Sequence, residues 1–241
     1  MKLAKFATIT VLGLACASSF GVNPEEAAVR KAIEPRLDNA KILSVTKTPY
    51  SGLFEIRTDN NDIFYTDKKA QYLFVGRILN TATYEDYTKA RIEEITRVKF
   101  SELPFDSALK MVKGDGKRVI ALFEDPNCGY CKRFRQTTLN ELDNVTVYTF
   151  MYNILSEDSM IKSKNVWCSA DRNKAWDEWM LNNKLPPTAP AGCISTPNDK
   201  IFALGQKLKI NGTPTIIFAD GSRIPGAVDS KQIEAKLSTI K

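Results

Sequence analysis

The sequence of 241 residues contains no histidine and only five cysteines. Without histidine, no imidazole is available as a general base or as a metal ligand. Basic residues never follow one another for more than two positions, which disfavours the dense positive surface that a nucleic-acid partner requires. Beyond the N-terminus the chain also lacks an apolar run of about 20 residues, the length that spans a bilayer as a helix. These absences direct attention to the cysteines.

The composition is that of a folded protein of one or two domains. Hydrophobic residues make up 43% of the chain and charged residues 26%, with no low-complexity segment, so a sizeable core is expected. The formal net charge is +6 and is spread along the chain. A mild, dispersed positive charge favours solubility rather than binding to a polyanion.

Residues 1–17 have the pattern of a signal peptide. Lys2 and Lys5 give the segment a positively charged beginning. An apolar centre at residues 6–14 and the small-x-small cleavage site Ala15-Cys16-Ala17 follow. The apolar centre is too short for a membrane anchor. Cleavage just before Cys16, with lipidation of that cysteine, is the alternative, although Gly13 stands where such sites usually carry an aliphatic residue. The pattern therefore predicts an exported protein.

Four cysteines remain once this segment is removed: Cys128, Cys131, Cys168 and Cys193. An even number of cysteines in an exported protein favours disulfides over free thiols. For Cys168 and Cys193, two buried free thiols are the alternative.

The first half of the mature chain predicts a small antiparallel sheet with one helix. A helix is expected from Glu25 to Glu34, stopped by Pro35. Short runs rich in β-branched and aromatic residues then predict strands at 41–48, 53–58, 62–67 and 72–79. About 60 residues form a marginal core alone. The segment contains no cysteine, so docking or dimerisation is a better expectation for it than chemistry.

The middle of the chain predicts two helices. Residues 84–98 are charged and helical in character and are a candidate linker helix. A second helix is expected after it, because Phe105, Ala108, Leu109 and Val112 follow the spacing i, i+3, i+4, i+7 and Gly114 would end it.

The second half alternates between strands and helices, which predicts a mixed sheet covered on both faces. Strands are expected at 119–125 and 145–152 and a hairpin across Asp220-Gly221. Helices are expected at 128–142, at 161–181, around 201–208 and at the C-terminus.

Three interpretations compete for the C-x-x-C pair Cys128 and Cys131. A zinc site needs about four soft ligands, yet histidine is absent and the other two cysteines are far apart in sequence. A purely structural disulfide across so short a loop would remove little chain entropy. The third interpretation, a redox-active dithiol where a strand meets a helix, is favoured.

Local physics supports the redox interpretation. Cys128 falls at a predicted helix start with Asn127 as the candidate N-cap. Unpaired N–H groups and the helix dipole stabilise a thiolate there and lower a cysteine pKa to between about 3.5 and about 7.5. Cys131, one turn further in, is then the shielded resolving thiol. The helix replaces the missing imidazole as the activating group.

Several motifs together carry a family resemblance. They are C-G-Y-C at 128–131, V-W-C-S-A-D-R-N-K-A-W at 166–176, a cysteine at 193 and G-T-P-T at 212–215 before a strand. With the exported N-terminal region and the linker helix, they resemble the DsbC/DsbG family of bacterial periplasmic thiol:disulfide interchange proteins, within the thioredoxin superfamily. The resemblance covers essentially the whole mature chain. Gly129 and Tyr130 match the isomerases of this family rather than the Pro-His pair of the oxidases.

The resemblance implies an α+β fold. It implies a thioredoxin-like C-terminal domain with inserted helices (104–241), preceded by a small α+β, cystatin-like dimerisation domain (22–83) and a linker helix (84–103). It also implies a cis peptide bond before Pro214, so that Thr213 and Pro214 form a substrate-binding loop facing the dithiol. Cys168 and Cys193 would form a structural disulfide.

In function, the resemblance implies a periplasmic homodimer that rearranges incorrect disulfides in misfolded exported proteins, without cofactor or metal. Cys128 would attack and Cys131 would resolve, with Gly129 and Tyr130 as the active-site loop. A membrane-bound reductase of the DsbD type would keep the dithiol reduced, and chaperone activity is expected. A dithiol oxidase and a DsbG-like reductase or holdase are the alternatives.

One departure from thioredoxin concerns a buried acid. Thioredoxin carries it six residues before the first cysteine, where this chain has Leu122. Glu124 and Asp125 lie nearer the cysteines, but strand parity does not decide which of them points inward. No proton-transfer role is assigned to either from the sequence.

Overall fold

A computed structural model describes residues 23–37 and 40–240 of the chain. It divides into two compact units, with the boundary between Gly76 and Arg77, and each unit is considered by itself. The predicted signal peptide lies outside the described residues. No helix within them has the length and apolar composition needed to cross a membrane.

The first unit opens with the expected helix, α1 (Pro24–Ile33). It begins there because the side chain of Asn23 accepts a hydrogen bond of 3.0 Å from the backbone N–H of Glu25 and Pro24 occupies the first helical position. A 3-10 turn (Glu34–Arg36), which contains Pro35, ends it. The predicted helix and its end at this proline are confirmed.

A four-stranded antiparallel sheet packs against α1. Its strands, in order, are β1 (Ile42–Lys47), β2 (Phe54–Thr58), β3 (Ile63–Thr66) and β4 (Leu73–Phe74). The first three predicted strands are confirmed, but the fourth is two residues long rather than eight. β4 lies at the edge of the sheet and pairs with β3, and among the described residues no strand pairs with its other side. Phe74 on β4 and Val75 just after it are 48% and 74% exposed, so little burial stabilises a longer strand here.

The second unit begins with the segment that contains the predicted linker helix. Helix α2 (Tyr87–Ile95) starts where the carboxylate of Asp86 accepts a hydrogen bond of 2.8 Å from the N–H of Lys89. Just after it, the N–H of Val98 donates to the carbonyl oxygen of Gly221 at 2.8 Å. A side chain at Gly221 would collide with the Val98 carbonyl, so only glycine permits this approach. The segment after α2 is thereby held against the turn at Gly221 within the second unit.

The helix predicted over residues 105–114 is wrong. A 3-10 turn (Phe105–Ser107) is followed by β5 (Leu109–Lys113), an edge strand antiparallel to β7 (Val145–Met151). Hydrogen bonding to β7 outweighs the helical spacing of Phe105, Ala108, Leu109 and Val112. In the structure these side chains do not share one buried face, since Leu109 is buried and Val112 is 53% exposed. Local periodicity could not reveal this strand partner.

The sheet of the second unit has the order β5-β7-β6-β8-β9. Its central strand β6 (Arg118–Glu124) runs parallel to β7 and antiparallel to β8 (Thr215–Phe218), which forms the expected hairpin with β9 (Arg223–Pro225). Alternate residues of β6 enter two different cores: Leu122 packs on one face and Phe123 on the other. A mixed sheet covered on both faces is confirmed.

The remaining helices flank this sheet. They are α3 (Gly129–Phe134), which continues through a π-helical turn (Arg135–Leu139), α4 (Glu157–Trp167), α5 (Arg172–Asn182), α6 (Asn198–Lys207) and α7 (Ser230–Ser238). The helical region predicted at 161–181 consists of two helices, because Cys168 ends α4 and Asp171 caps α5 by accepting a 3.0 Å hydrogen bond from the N–H of Lys174. The α+β fold class itself is confirmed.

Candidate active site

The turn between β6 and α3 is held by one buried carboxylate. Asp125 accepts hydrogen bonds from four donors at 2.7 to 3.0 Å: the backbone N–H groups of Asn127, Ile154 and Leu155 and the hydroxyl of Ser159. Because the carboxylate has no exposed surface and several fixed donors, it sets the path of residues 125–128. The hydrogen bonds of Asp125 therefore fix the position of Cys128 at the start of α3.

Cys128 itself caps helix α3. Its Sγ accepts the backbone N–H of Cys131 at 3.1 Å. The expectation that Asn127 is the N-cap is wrong: its side-chain amide donates to Ser156, Asp158 and Ser159 at the start of α4, at 2.8 to 3.1 Å. The sulfur therefore receives the N–H group that a capping oxygen would otherwise take, and a thiolate at this position gains that hydrogen bond and the helix dipole.

The structure brings the two cysteines together with the predicted proline loop. A disulfide joins Cys128 and Cys131, whose Cα atoms are 5.2 Å apart. Cys128 is 4% exposed and Cys131 is completely buried. The Sγ of Cys128 lies 3.3 Å from the carbonyl oxygen of Thr213, and the peptide bond between Thr213 and Pro214 is cis. In the loop between the cysteines, Gly129 is exposed and Tyr130 is 69% exposed.

Behind the dithiol lies a buried charged cluster that the sequence analysis did not recognise. Arg135, one helical turn beyond Cys131, donates through Nε to Glu124 Oε2 at 2.7 Å and through Nη2 to the hydroxyl of Thr149 at 2.8 Å. The Nη1 of Arg135 donates a hydrogen bond to Oδ1 of Asp177 at 3.1 Å. Glu124 therefore points into the protein, which answers the question that strand parity left open. The available signal was an acid that ends an apolar strand run, combined with an arginine four residues after a cysteine.

Burial and ion pairing shift the pKa of the Glu124 carboxyl in opposite directions. Burial raises the pKa of Glu124, whereas the charge of Arg135 and its hydrogen bond oppose that rise. Burial also raises the pKa of Asp177. The side chain of Trp176 also interacts with the Glu124 carboxyl and lowers its pKa. Trp176 belongs to the same apolar cluster as Cys128 and Cys131.

Two lysines, one on α3 and one on α4, lie over the ring of Trp179. Lys132 and Lys162 place their ammonium groups 3.8 Å and 4.7 Å from the ring centre of Trp179. The indole N–H of Trp179 donates to the carbonyl oxygen of Pro126 at 2.7 Å, which ties this arrangement to the turn before Cys128. Burial, and then the charge of Lys162, lower the pKa of Lys132. Positive charge near a cysteine favours the thiolate.

The second cysteine pair has a different setting. A disulfide joins Cys168 and Cys193, with Cα atoms 6.1 Å apart. Cys168 caps the C-terminus of α4, while the N-terminus of α4 contacts Asn127 beside the dithiol. A helix of this length places Cys168 about 16 Å from that contact. In the described part of the chain, no three potential metal-ligand side chains lie together.

We expect the Cys128–Cys131 disulfide to be reduced before Cys168–Cys193. A helix N-terminus stabilises the Cys128 thiolate, whereas the C-terminus of α4 disfavours a thiolate at Cys168. The second bridge also closes a longer loop, with a sequence separation of 25. Together these effects predict a difference of about 60 mV, roughly hundredfold in the equilibrium constant. Alkylation and peptide mass mapping across glutathione redox buffers measure both potentials; equal potentials would contradict the prediction.

Known proteins match both parts of the chain. Residues 105–241 match the thioredoxin-like domain family, and residues 21–89 match the disulfide bond isomerase protein N-terminal domain. The chain is 47% identical over 216 residues to the probable thiol:disulfide interchange protein DsbC of Bordetella avium, covering 90% of this chain and 76% of that protein. It is 25% identical to the thiol:disulfide interchange protein DsbC of Escherichia coli K12, over 92% and 90% of the two chains. A crystal structure of a disulfide interchange protein from Neisseria gonorrhoeae aligns with a TM-score of 0.53 and 35% identity, covering 57% of this chain and 97% of that chain.

Proposed function

Because this chain belongs to the DsbC family of thiol:disulfide interchange proteins, we propose that it rearranges incorrect disulfides in exported proteins of the periplasm. It is a thiol-disulfide oxidoreductase. The observation that carries the proposal is the position of Cys128, whose sulfur receives an N–H at the start of α3 and lies beside the Thr213 carbonyl. Such a sulfur is a nucleophile at neutral pH without an imidazole base.

The reaction proceeds by thiol-disulfide exchange. The Cys128 thiolate attacks one sulfur of a substrate disulfide, the substrate S–S bond breaks, and the other substrate sulfur leaves as a thiolate that takes a proton from solvent. A second substrate thiolate then attacks the mixed disulfide, forms a new S–S bond and releases Cys128. No net electrons are transferred, so this route is an isomerisation.

Cys131 provides the alternative outcome. Its thiolate attacks Cys128 in the mixed disulfide, the substrate leaves as a thiol, and two electrons pass from the protein dithiol to the substrate. Because this route leaves Cys128 and Cys131 oxidised, continued isomerisation requires a reductant. We assign that role to a membrane-bound reductase of the DsbD type. The Thr213-Pro214 loop would hold the substrate backbone against Cys128, and Cys168–Cys193 would serve as a structural bond.

Exposed apolar side chains near the dithiol support binding of unfolded substrate and hence chaperone activity. Leu155, just before α4, is 55% exposed, and Met160 and Ile161 near the beginning of α4 are 45% and 59% exposed. This part of α4 is joined to the dithiol turn by the hydrogen bonds of Asn127. Apolar contacts of this kind hold an unfolded segment without demanding one sequence.

A homodimer formed through the first unit accounts for a domain that contains no cysteine. Its edge strand β4 and the residue on either side of it expose four consecutive apolar side chains: Tyr72, Leu73, Phe74 and Val75, between 41% and 74% exposed. An uncovered apolar edge is a template for pairing with another strand. A second copy can use the same edge in a closed two-fold contact. Two copies would then offer two dithiols to one substrate.

The proposed function is tested by refolding scrambled ribonuclease A in a glutathione buffer that contains a catalytic amount of this protein. Recovery of ribonuclease activity well above the buffer background supports isomerisation. Thiol trapping in cells separates this function from a dithiol oxidase, because an isomerase is mostly reduced at rest and an oxidase is not. A holdase with an incidental dithiol would retain full function after loss of Cys128.

We expect the double variant Phe74→Asp, Val75→Asp to be monomeric. Two carboxylates on the edge strand oppose strand pairing and cost their desolvation in a contact. Isomerisation of scrambled ribonuclease should fall about tenfold, because the gain from holding substrate between two linked modules is lost. Reduction of a small disulfide should persist. Sedimentation velocity measures the state of association.

Leu43→Asp is the matched control. Leu43 lies on β1, the opposite edge strand, and is 43% exposed, close to the exposure of Phe74. This variant should remain a dimer with full isomerase activity. A monomeric Leu43→Asp protein, or a dimeric double variant at β4, would show that the association surface lies elsewhere.

A further inference from the structure

A groove of about 320 Å³ opens beside the loop between the two cysteines. One wall is the active-site helix and its continuation, which present Tyr130, Arg133, Thr137 and Glu141. The other wall is the connection from β9 to α7, residues 227–230. The first of these residues, Tyr130, lies between Cys128 and Cys131 in the sequence, so the groove begins at the active-site loop.

The groove is a built feature, because hydrogen bonds fix its walls to each other. The hydroxyl of Thr138 donates to the carbonyl oxygen of Val228 at 2.7 Å. At the far end, the hydroxyl of Ser230 donates to the carboxylate of Glu141. Asp229 is occupied as the cap of α7, accepting the N–H of Gln232 at 2.8 Å. The two walls are therefore joined at Thr138 and again at Glu141.

The charges along the groove are unevenly distributed. Arg133 is exposed, and among the described residues no hydrogen bond or ion pair engages its guanidinium. The two carboxylates, Glu141 and Asp229, both have donors already. Lys132 is directed to Trp179 and Asn183 instead. The donors to Glu141 and Asp229 are a hydroxyl and a backbone N–H, so both carboxylates keep their negative charge. Arg133 is the one cation among the described residues of the lining and, on α3 and its continuation, the charged lining residue nearest the cysteines.

The distance from the cysteine to this charge fits a polypeptide. Arg133 follows Cys128 by five positions, which is about 7.5 Å along a helix. An extended chain advances about 3.3 Å per residue, so this separation corresponds to about two residues of bound peptide. We propose that the groove binds the substrate segment next to its disulfide, and that Arg133 binds an acidic side chain two residues from the cysteine under attack.

This proposal rests on the proposed function and adds a charge preference to it. The chemistry is unchanged: the Cys128 thiolate attacks the substrate sulfur held at the mouth of the groove, the substrate S–S bond breaks, and the leaving sulfur takes a proton from solvent. Cys131 then displaces the substrate, so that two electrons pass from the dithiol to the two substrate sulfurs. Arg133 acts before these steps by orienting the segment.

The test uses seven-residue peptides joined as disulfide dimers, each carrying a fluorophore that is quenched in the dimer and released on reduction. Three versions place Asp, Ala or Lys two residues from the cysteine, on either side in separate sets. Pre-reduced full-length protein is mixed with each peptide in a single turnover. Every rate is divided by the rate of the same peptide with dithiothreitol, which removes the peptide's intrinsic reactivity.

In one of the two sets, the normalised rates should favour Asp over Lys by about threefold to tenfold, the range expected for an exposed ion pair against a like-charge contact. Arg133→Glu should invert this ratio and Arg133→Gln should remove it. Because the ratio compares peptides on one protein, any change in the Cys128 thiolate cancels. Lys174→Glu, an equal charge change at an exposed position on α5, should leave the ratio at the wild-type value. The preference should also weaken in 0.5 M salt, since exposed charge pairs are screened.

Two failures are distinguishable. If the protein reduces all peptides rapidly but with equal normalised rates, or if Arg133→Glu keeps the wild-type ratio, the groove proposal is overturned and the proposed function stands. If no peptide is reduced above the rate without protein, the proposed function fails. An Asp preference that Lys174→Glu also inverts would show a general field of the protein rather than binding at Arg133.

Discussion

Cys128→Ser should reduce thiol-disulfide exchange to the uncatalysed background. Serine at the N-cap keeps the hydrogen bond to the N–H of Cys131, so the fold should survive while the nucleophile is lost. Cys131→Ser should behave differently, because Cys128 still attacks but the resolving thiol is absent. Mixed disulfides with substrate should then accumulate. Non-reducing gel electrophoresis with a scrambled substrate, followed by mass spectrometry of the adducts, distinguishes the two variants.

The physical basis of this asymmetry is the different position of the two sulfurs on one helix. Cys128 stands at the N-terminus, while Cys131 is completely buried one turn further in. In the reduced wild-type protein, iodoacetamide at pH 6 should therefore modify Cys128 first. Faster modification of Cys131 would reverse the assignment of attacking and resolving thiols.

Arg135→Met should destabilise the second unit by about 3–5 kcal/mol, the range for removing one partner of a buried ion pair. The variant leaves Glu124, which has no exposed surface, without its guanidinium partner. All three tryptophans (Trp167, Trp176 and Trp179) lie in the second unit, so their fluorescence in urea reports its unfolding alone. The double variant Glu124→Leu, Arg135→Met should recover most of the loss, because no charge is then left fully buried; Asp177 also loses its partner, but its side chain is 42% exposed.

The loss should depend on pH in a defined direction. Burial raises the folded-state pKa of Glu124, and without Arg135 the opposing influence disappears. A carboxyl whose pKa is higher in the folded than in the unfolded protein binds more protons when folded, so stability falls as pH rises above its unfolded value of about 4.3. Arg135→Met should therefore be less destabilised at pH 5 than at pH 8. Lys174→Met, on the exposed surface of α5, serves as the control; an Arg135→Met midpoint equal to that of the control would refute a structural role for the pair.

Features that depend on neighbouring residues could be predicted from the sequence. The strand before Cys128, the helix after it and the hairpin at Asp220-Gly221 follow from short-range patterns, and the structure contains all three. The absence of histidine and the C-x-x-C spacing were sufficient to expect a thiolate stabilised by a helix N-terminus. The expectation was local because the helix dipole and the cap act within one turn.

Features that depend on a distant partner could not be predicted. Strand β5 has a helical spacing of apolar residues, but its hydrogen bonds go to β7, more than thirty residues later. The break between α4 and α5 depends on a cap at Asp171 that competes with an otherwise helical pattern. Asn127 had the right type and place for an N-cap, yet its side chain is taken by α4.

By itself, then, the sequence determined the chemistry of this protein: a dithiol at the start of a helix, in a thioredoxin-like α+β fold. These properties depend on residue type and on spacing within one turn or one strand. Only the tertiary structure decided which groups surround the dithiol. The inward direction of Glu124, its pairing with Arg135, the two lysines on Trp179 and the groove at Arg133 each join side chains from different elements, and their meeting depends on how the sheet and helices pack.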